Sequence, residues 1–191
     1  MYEIHLNKCA VTIKGLEPGL LLHNPAGMQR AADNKSAAKR IPLASDEAAA
    51  AAYWTEDGSS LALPNRCIKS GLIQACSGWK SPLNKKLMLA PLVAGGVSIR
   101  PFLIPFGTKE YIVDIQRAVV QRQGVLRARP LLPEWELTFD IRWESQMLGT
   151  DFHEVLLPEL LTRLGFQIGI GDFRPARKGE YGRFSIVSIT Q

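Results

Sequence analysis

The sequence is poor in the residues and motifs that mark metal sites, nucleophiles and membrane spans. Its 191 residues include only three histidines and three cysteines. No apolar run reaches the roughly 18 residues that a transmembrane helix needs, and residues 1–5 do not begin a secretory signal. No His-x-Glu, His-Glu-x-x-His or Asp-x-Asp spacing is present, and serine and cysteine nucleophile motifs are missing. These absences predict a cytoplasmic chain without a metal, a cofactor or a membrane.

The cysteines and histidines that do occur favour structural roles. Cys9, Cys67 and Cys76 form an odd set without short paired spacing, which argues against a disulfide framework and a zinc site and predicts buried free thiols. His5, His23 and His153 lie far apart in the sequence, which favours histidines without a catalytic role, and we predict no catalytic residue.

The charge and the apolar content both indicate a globular protein with an acidic partner. Lysine and arginine total 23 against 18 acidic residues, which gives a net charge of +5. The hydrophobic fraction of 46% is enough for one domain with a packed core. Nucleic acid is the commonest acidic partner of a basic domain, although the excess is modest.

The apolar periodicity predicts an α+β fold. Alternation indicates a first strand within 2–14 and a strand over 135–143, and helical spacing indicates helices over 64–77 and from 151 to about Gly165. The stretch from 87 to 143 has a β pattern, with Gly124 at a turn, and a last strand follows near 184–189. We therefore predict an antiparallel sheet with two helices on one face, as in a ferredoxin-like or RRM-like core.

A long insertion follows the predicted first strand. Residues 24–52 are rich in alanine and polar residues, which favours a mobile or partner-binding segment. An alternative is that the alanine run belongs to a short helix, with Ser45 as its cap and Asp46 and Glu47 in its first turn. The insertion carries cations that can contact a nucleic acid: Lys35, Lys39 and Arg40.

The segment 165–184 combines five glycines with four basic residues. Glycine lets the backbone approach a ligand closely, and its amides can face phosphates. We therefore predict that this segment binds nucleic acid through Gly169, Gly171, Phe173, Arg174, Arg177, Lys178, Tyr181 and Arg183, with Phe184 as a further stacking residue. Gly169-x-Gly171 lacks the third glycine of a dinucleotide-binding motif, and no Walker loop is present. The alternative is a glycine-built hairpin with solvated cations.

This helix, glycine-rich loop and Gly-Arg-Phe sequence resembles the C-terminal signature of the RAMP superfamily. These RRM-like CRISPR-associated proteins include crRNA-binding backbone subunits and repeat-processing endoribonucleases. The resemblance covers about the last 35 residues and implies an RRM-like fold and RNA binding, in a backbone subunit or a divergent phage-encoded relative. An insertion after the first strand also suits a backbone subunit.

A second basic cluster lies on the strands around Gly124. It consists of Arg117, Arg122, Arg127 and Arg129. These guanidinium groups can bind phosphates along a sheet face, or they can pair with Asp114, Glu134 and Glu136. Trp135 and Trp143 share the apolar face of their strand, which predicts core packing, with a platform for bases as the alternative.

The leading hypothesis is a non-catalytic protein that binds a nucleic-acid backbone, RNA rather than DNA, within a ribonucleoprotein assembly. Other protein subunits or copies of the chain itself are the expected protein partners. Two alternatives stay open. One is a structural or assembly protein of phage type that needs no nucleic acid. The other is a metal-independent endoribonuclease, for which the resemblance implies a histidine as general acid or base; His23, next to the insertion, is the best candidate and His5 the second.

Overall fold

The computed structural model describes residues 6–33, 43–120 and 123–191. The strands are β1 (Leu6–Gly15), β2 (Leu20–Leu21), β3 (Ala62–Pro64), β4 (Val97–Arg100), β5 (Leu103–Pro105), β6 (Ile112–Val120), β7 (Gln123–Leu132), β8 (Glu136–Glu144) and β9 (Phe184–Thr190). The helices are α1 (Pro25–Asp33), α2 (Ala44–Ala51), α3 (Asn65–Ala75), α4 (Leu89–Gly96), α5 (Ser145–Leu148) and α6 (Phe152–Arg163). A π-helical turn, Leu164–Ile168, continues α6, and a short 3-10 turn, Pro175–Arg177, lies in the loop before β9.

The centre of the fold is a four-stranded antiparallel sheet in the order β4-β8-β1-β9. With α3 between β1 and β4, and α6 between β8 and β9, this is the strand order of the ferredoxin-like split βαβ arrangement. The predicted α+β class, with an antiparallel sheet and a long insertion after the first strand, is therefore confirmed. Edge position also explains why β4 and β5 tolerate the neighbouring prolines.

Alternating side chains explain the two central strands. In β8 every second residue from Leu137 to Trp143 is buried, and in β1 the buried residues are Cys9, Val11 and Ile13. Leu6, on the opposite side of β1 from these residues, is exposed. The pairing of β1 with β8 runs without a break, whereas the pairing of β1 with β9 has a register shift at Thr12–Ile13.

Both predicted helices pack on the same face of this sheet. Ile68 and Leu72 of α3 and Leu160 and Leu161 of α6 are fully buried in the common core. Gly71 allows α3 to pack closely against the turn that continues α6, because a Cβ at this position would collide with the side chain of Leu164. Pro64 precedes α3 as the last residue of β3.

The predicted end of the second helix at Gly165 is wrong. The chain continues through the π-helical turn, and Gly169, with a φ of +69°, ends it. Gly165 has another role, because a Cβ there would collide with the carbonyl oxygen of Phe184. It therefore allows the turn to pack closely against β9.

A second sheet, β2-β7-β6, stands beside the central one and carries the inserted helices. Asp46 and Glu47 lie in the first turn of α2 as predicted, but the helix begins at Ala44, so Ser45 is not its cap. Gly124 pairs with Val119 inside the hairpin and does not form its turn.

One helix was predicted as a strand. The apolar run of α4 has no decisive periodicity, and its Pro91 lies in the first turn, where the missing amide costs nothing. Within the described residues, no helix has the length and apolar content to cross a membrane.

The faces of the central sheet differ sharply. Trp135 and Trp143 are 5% and 0% exposed, so both belong to the core and the alternative of an open aromatic platform is wrong. The opposite face is polar: the ammonium group of Lys8 lies 2.9 Å from a carboxylate oxygen of Asp140, and the hydroxyls of Thr12 and Thr138 are 3.0 Å apart. An RRM-type protein stacks bases on aromatic side chains of this face. The polar side chains named here cannot form that contact.

Candidate nucleic-acid interface

A groove of about 500 Å³ lies between α3 and the glycine-rich loop that follows α6. The helix contributes Cys67, Ser70 and Gln74, which recur at the spacing of one helical face. The loop contributes residues 168–174 and Arg177, and His23 and Tyr53, which flank the 24–52 insertion, also line the groove. The predicted phosphate-binding loop therefore forms one wall of a concave surface.

Backbone hydrogen bonds fix the loop to the rest of the fold. The amide of Ile170 donates to Gly182 at 3.0 Å, the amide of Asp172 donates to Leu21 at 2.9 Å, and the amide of Gly182 donates to Gly19 at 2.7 Å. These bonds tie the two arms of the loop to each other and to the β1–β2 connection. The groove wall is therefore preorganised.

Four glycines of the segment meet the protein's own backbone: Gly165, as described above, and Gly171, Gly179 and Gly182. A Cβ on Gly179 would collide with the carbonyl of Phe173, and one on Gly182 would collide with the carbonyl of Ile170. Gly182 also has a φ of +72°, which disfavours other residues. Gly169 and Gly171 do line the groove, but a Cβ on Gly171 would also lie 2.5 Å from the carbonyl oxygen of Leu21. Chain packing alone explains much of the glycine pattern.

The cations of the loop keep their charge available. Arg174 donates to the carbonyl of Gly171 at 3.1 Å, and Arg183 donates to the carbonyl of Phe166. Arg177 and Lys178 are exposed, and Lys178 adopts the left-handed conformation with a φ of +65°. Over the described part of the chain, no carboxylate forms an ion pair with any of these side chains. Arg174 and Arg177 line the groove.

The predicted aromatic residues fall in different environments. Phe173 is half-buried and lines the groove. The hydroxyl of Tyr181 accepts a hydrogen bond from the side chain of Gln116 at 2.9 Å, which ties the loop to β6. Phe184 is buried and lies edge-on to Trp135 at 6.2 Å, so the prediction that it stacks on a base is wrong.

The second arginine cluster is largely engaged inside the protein. Arg129 is buried and pairs with Asp172 at 3.1 Å, and Arg127 pairs with Glu47 at 3.1 Å. Arg117 is exposed on β6. The acidic partners are therefore not the ones that proximity in sequence suggested. Burial leaves the Arg129 guanidinium little surface for a phosphate.

Several predicted contacts lie outside the described residues. These are Lys35, Lys39, Arg40, Arg122 and His5. Their roles in binding or catalysis stay predictions.

His23 is the histidine that the structure brings to the groove. Its Nδ1 lies 3.5 Å from a carboxylate oxygen of Asp172. Burial is the main cause that lowers the pKa of His23 below its ordinary value, and the positive charge of Arg129 lowers it further, against the opposing effect of Asp172. The imidazole is therefore neutral at neutral pH, and its contact with Asp172 is not an ion pair there.

Sequence reasoning missed a third cation near the groove. Arg66, exposed on α3, donates to the hydroxyl of Tyr53 at 3.2 Å, and that hydroxyl donates to the carbonyl of His23 at 3.0 Å. The charges of Arg66 and Arg174 both favour the thiolate of Cys67, although burial raises the pKa of this thiol overall. The polar spacing of Arg66, Ser70 and Gln74 on the predicted helix was the available signal.

No family model matches the sequence, and no curated protein matches it by sequence. Among solved structures, the fold is similar to a chain in the cryo-EM structure of the Type III-B Cmr-beta complex bound to cognate target RNA. The TM-score is 0.60 at 12% sequence identity, and the match covers 96% of this chain and 60% of that chain. The protein therefore spans less than two-thirds of that chain and shares its fold.

Proposed function

We propose that this protein binds the sugar-phosphate backbone of single-stranded RNA as a non-catalytic subunit of a RAMP-type ribonucleoprotein assembly. The observation that carries the proposal is the groove between α3 and the glycine-rich loop, where Arg174 and Arg177 stand without acidic partners among the described residues. The fold shared with a chain of an RNA-bound CRISPR complex supports RNA over DNA.

The chemistry of the groove suits phosphate groups. An arginine guanidinium can bond two oxygens of one phosphate, and such charge-assisted bonds are about twice as strong as neutral ones. Asp172 is the acidic side chain of the groove lining, and its pairing with Arg129 offsets its charge. Phosphates entering the groove therefore meet a positive field.

The surface of the β6–β7 hairpin supports the proposal of protein partners. Val113, Ile115 and Leu126, which share one face of the hairpin, are 37%, 54% and 71% exposed. Neighbouring exposed apolar side chains on one hairpin are typical of surfaces that become covered in an assembly. Either another subunit or a second copy of the chain suits this role.

A binding titration tests the proposed function. Fluorescence anisotropy of a short labelled RNA should show that the double variant Arg174→Ala/Arg177→Ala binds about ten- to 100-fold more weakly than the wild type at low salt. The double variant Lys85→Ala/Lys86→Ala is the matched control, because it removes the same charge from an exposed loop outside the groove. Equal weakening in both variants would mean that only the net charge of the protein matters and that the groove arginines make no specific contact with RNA.

The rival hypothesis of an assembly protein without nucleic acid predicts a different purification. The proposed function requires nucleic acid to copurify with the wild type and to be lost from the groove variant. Stable oligomers with the absorbance ratio of pure protein, together with no RNA affinity, would favour the assembly protein.

The position of His23 supports a second candidate function, metal-independent RNA cleavage. A neutral imidazole next to a carboxylate can accept a proton from a ribose hydroxyl, and Arg174 in the same groove can stabilise a charged phosphate. Incubation of labelled RNA with the protein in EDTA tests this. Cleavage that disappears in His23→Ala but persists in His153→Ala would establish it, and intact RNA would remove it.

A further inference from the structure

A second cavity, of about 450 Å³, lies beyond the end of α3. It is lined by Trp79, Glu159, Thr162, Arg163, Phe166 and Gln167. It is a shallow site that is open to solvent on one side. Two of its six lining residues are aromatic, and neither of these aromatic residues contributes to the groove described above.

The π-helical turn explains why Phe166 faces outward. Leu164, Gly165 and Ile168 of this turn are buried, while Phe166 remains 49% exposed. The guanidinium of Arg183 donates to the carbonyl oxygen of Phe166 and so holds the turn from the loop side. The exposed ring offers apolar surface whose burial under a ligand would be favourable.

Arg163 brings a positive charge to the same cavity. Its guanidinium carbon lies 5.4 Å from the ring centroid of Trp79, and its nitrogens donate to the carbonyl of Ala75 at 2.9 Å and to the side chain of Gln167 at 3.2 Å. Across the described ranges, no carboxylate lies within ion-pair distance of Arg163. The cavity thus combines two aromatic rings with a cation held in place and one acidic side chain, Glu159.

The cavity also continues the groove along the chain. Ile168 and Gln74 line the groove, whereas Phe166, Gln167 and Trp79 line the cavity. Because Gln167 and Ile168 are consecutive residues, the two sites adjoin at the π-helical turn, and a strand that leaves the groove past this turn can enter the cavity. Aromatic faces bind nucleobases by stacking, and nearby arginines add charge contacts to the backbone.

We infer that this cavity binds an unpaired nucleobase of the strand whose phosphates lie in the groove. The inference rests on the proposed function and adds a stacking subsite to it. A base against Phe166 and Trp79 places its ring on apolar surface. The carboxylate of Glu159 and the amide of Gln167 can form hydrogen bonds with its edge.

Abasic RNA gives the sharpest test. Phe166→Ala should weaken binding of a short labelled RNA roughly tenfold, because stacking one base contributes an affinity factor of about five to 150. On an abasic strand of the same length, wild type and Phe166→Ala should bind equally. Phe166→Tyr keeps the aromatic ring, so it should bind the normal strand as the wild type does. Trp79→Leu should weaken binding as Phe166→Ala does. Circular dichroism checks that each variant is folded.

The controls separate this inference from the proposed function. Phe102→Ala removes an aromatic ring that is 65% exposed and lines neither cavity, so it should leave binding unchanged. If Arg174→Ala/Arg177→Ala weakens binding but Phe166→Ala and Trp79→Leu do not, the stacking subsite is overturned and the proposed function stands. If the wild type binds no RNA, the proposed function fails first.

Discussion

The two arginine clusters of this protein carry similar charge but lie in different environments. In the glycine-rich loop, Arg174 and Arg177 line a groove and pair with no carboxylate in the described structure. On β7, Arg127 and Arg129 pair with Glu47 and Asp172, each at 3.1 Å. The first cluster has charge to offer a polyanion, whereas the second holds the inserted helices and the loop to the second sheet.

This difference shows why a count of basic residues does not locate a binding surface. A guanidinium that is already desolvated and paired must break its own ion pair before it can bind a phosphate. A guanidinium held only by a backbone carbonyl, as Arg174 is, keeps donors free. Mutation of the paired cluster should therefore change stability, whereas mutation of the groove cluster should change binding.

The largest effect on stability should come from Arg129→Ala. Its side chain is 8% exposed, and removal leaves the charge of Asp172 without its partner. Breaking a buried pair costs about 3 kcal/mol, measured by urea unfolding. Arg127→Ala is the comparison: its side chain is 35% exposed, and the amide of Ala128 still donates to Glu47 after the change, so it should cost less, about 1 kcal/mol. Equal losses in the two variants would contradict the claim that burial of the guanidinium sets the cost.

The shape of the loop should be the next most sensitive feature. Gly182→Ala meets both a φ of +72° and the carbonyl of Ile170, so it should cost about 2 kcal/mol. Gly58→Ala is the matched control, because Gly58 has a φ of +65° but no atom within 4 Å of the added carbon. Thermal unfolding should show a loss of only about 1 kcal/mol there. Similar losses would mean that the close packing of the loop contributes nothing.

The smallest effect concerns the pH dependence of stability near His23. Burial and the charge of Arg129 lower its pKa from the ordinary 6.5. The unfolded chain therefore binds a proton at His23 more readily than the folded chain does. The contribution of His23 to the free energy of unfolding is complete above pH 6.5, and it is lost as the pH falls from 6.5 towards the pKa of the folded state. His23→Gln should reduce the loss of unfolding free energy on acidification. An unchanged pH profile in this variant would show that His23 is not desolvated.

The sequence was most informative where the apolar pattern of a single strand or helix is enough to show which of its faces is buried. The alternation in β8 and the apolar face of α3 fixed the central sheet and its helices, because each follows from a local period. The run of α4 was misread because an apolar stretch without polar intervals suits a buried strand and a buried helix equally well.

Only part of the candidate site could be predicted from the sequence. The loop cations of 174–183 are local and could be predicted. The pairing of Arg129 with Asp172 and that of Arg127 with Glu47 join residues 43 and 80 positions apart, which no local pattern reports. Arg66 was overlooked for a related reason, since only the folded chain brings α3 opposite the glycine-rich loop.

The salt dependence of RNA binding tests the central claim most directly. For single strands, the slope of log affinity against log salt falls in magnitude by about 0.7 for each phosphate that the protein no longer neutralises, so Arg174→Ala/Arg177→Ala should lower it by about 1.4. Lys85→Ala/Lys86→Ala should leave the slope unchanged. A groove variant with the slope of the wild type would show that these arginines do not touch phosphate, which would contradict the account.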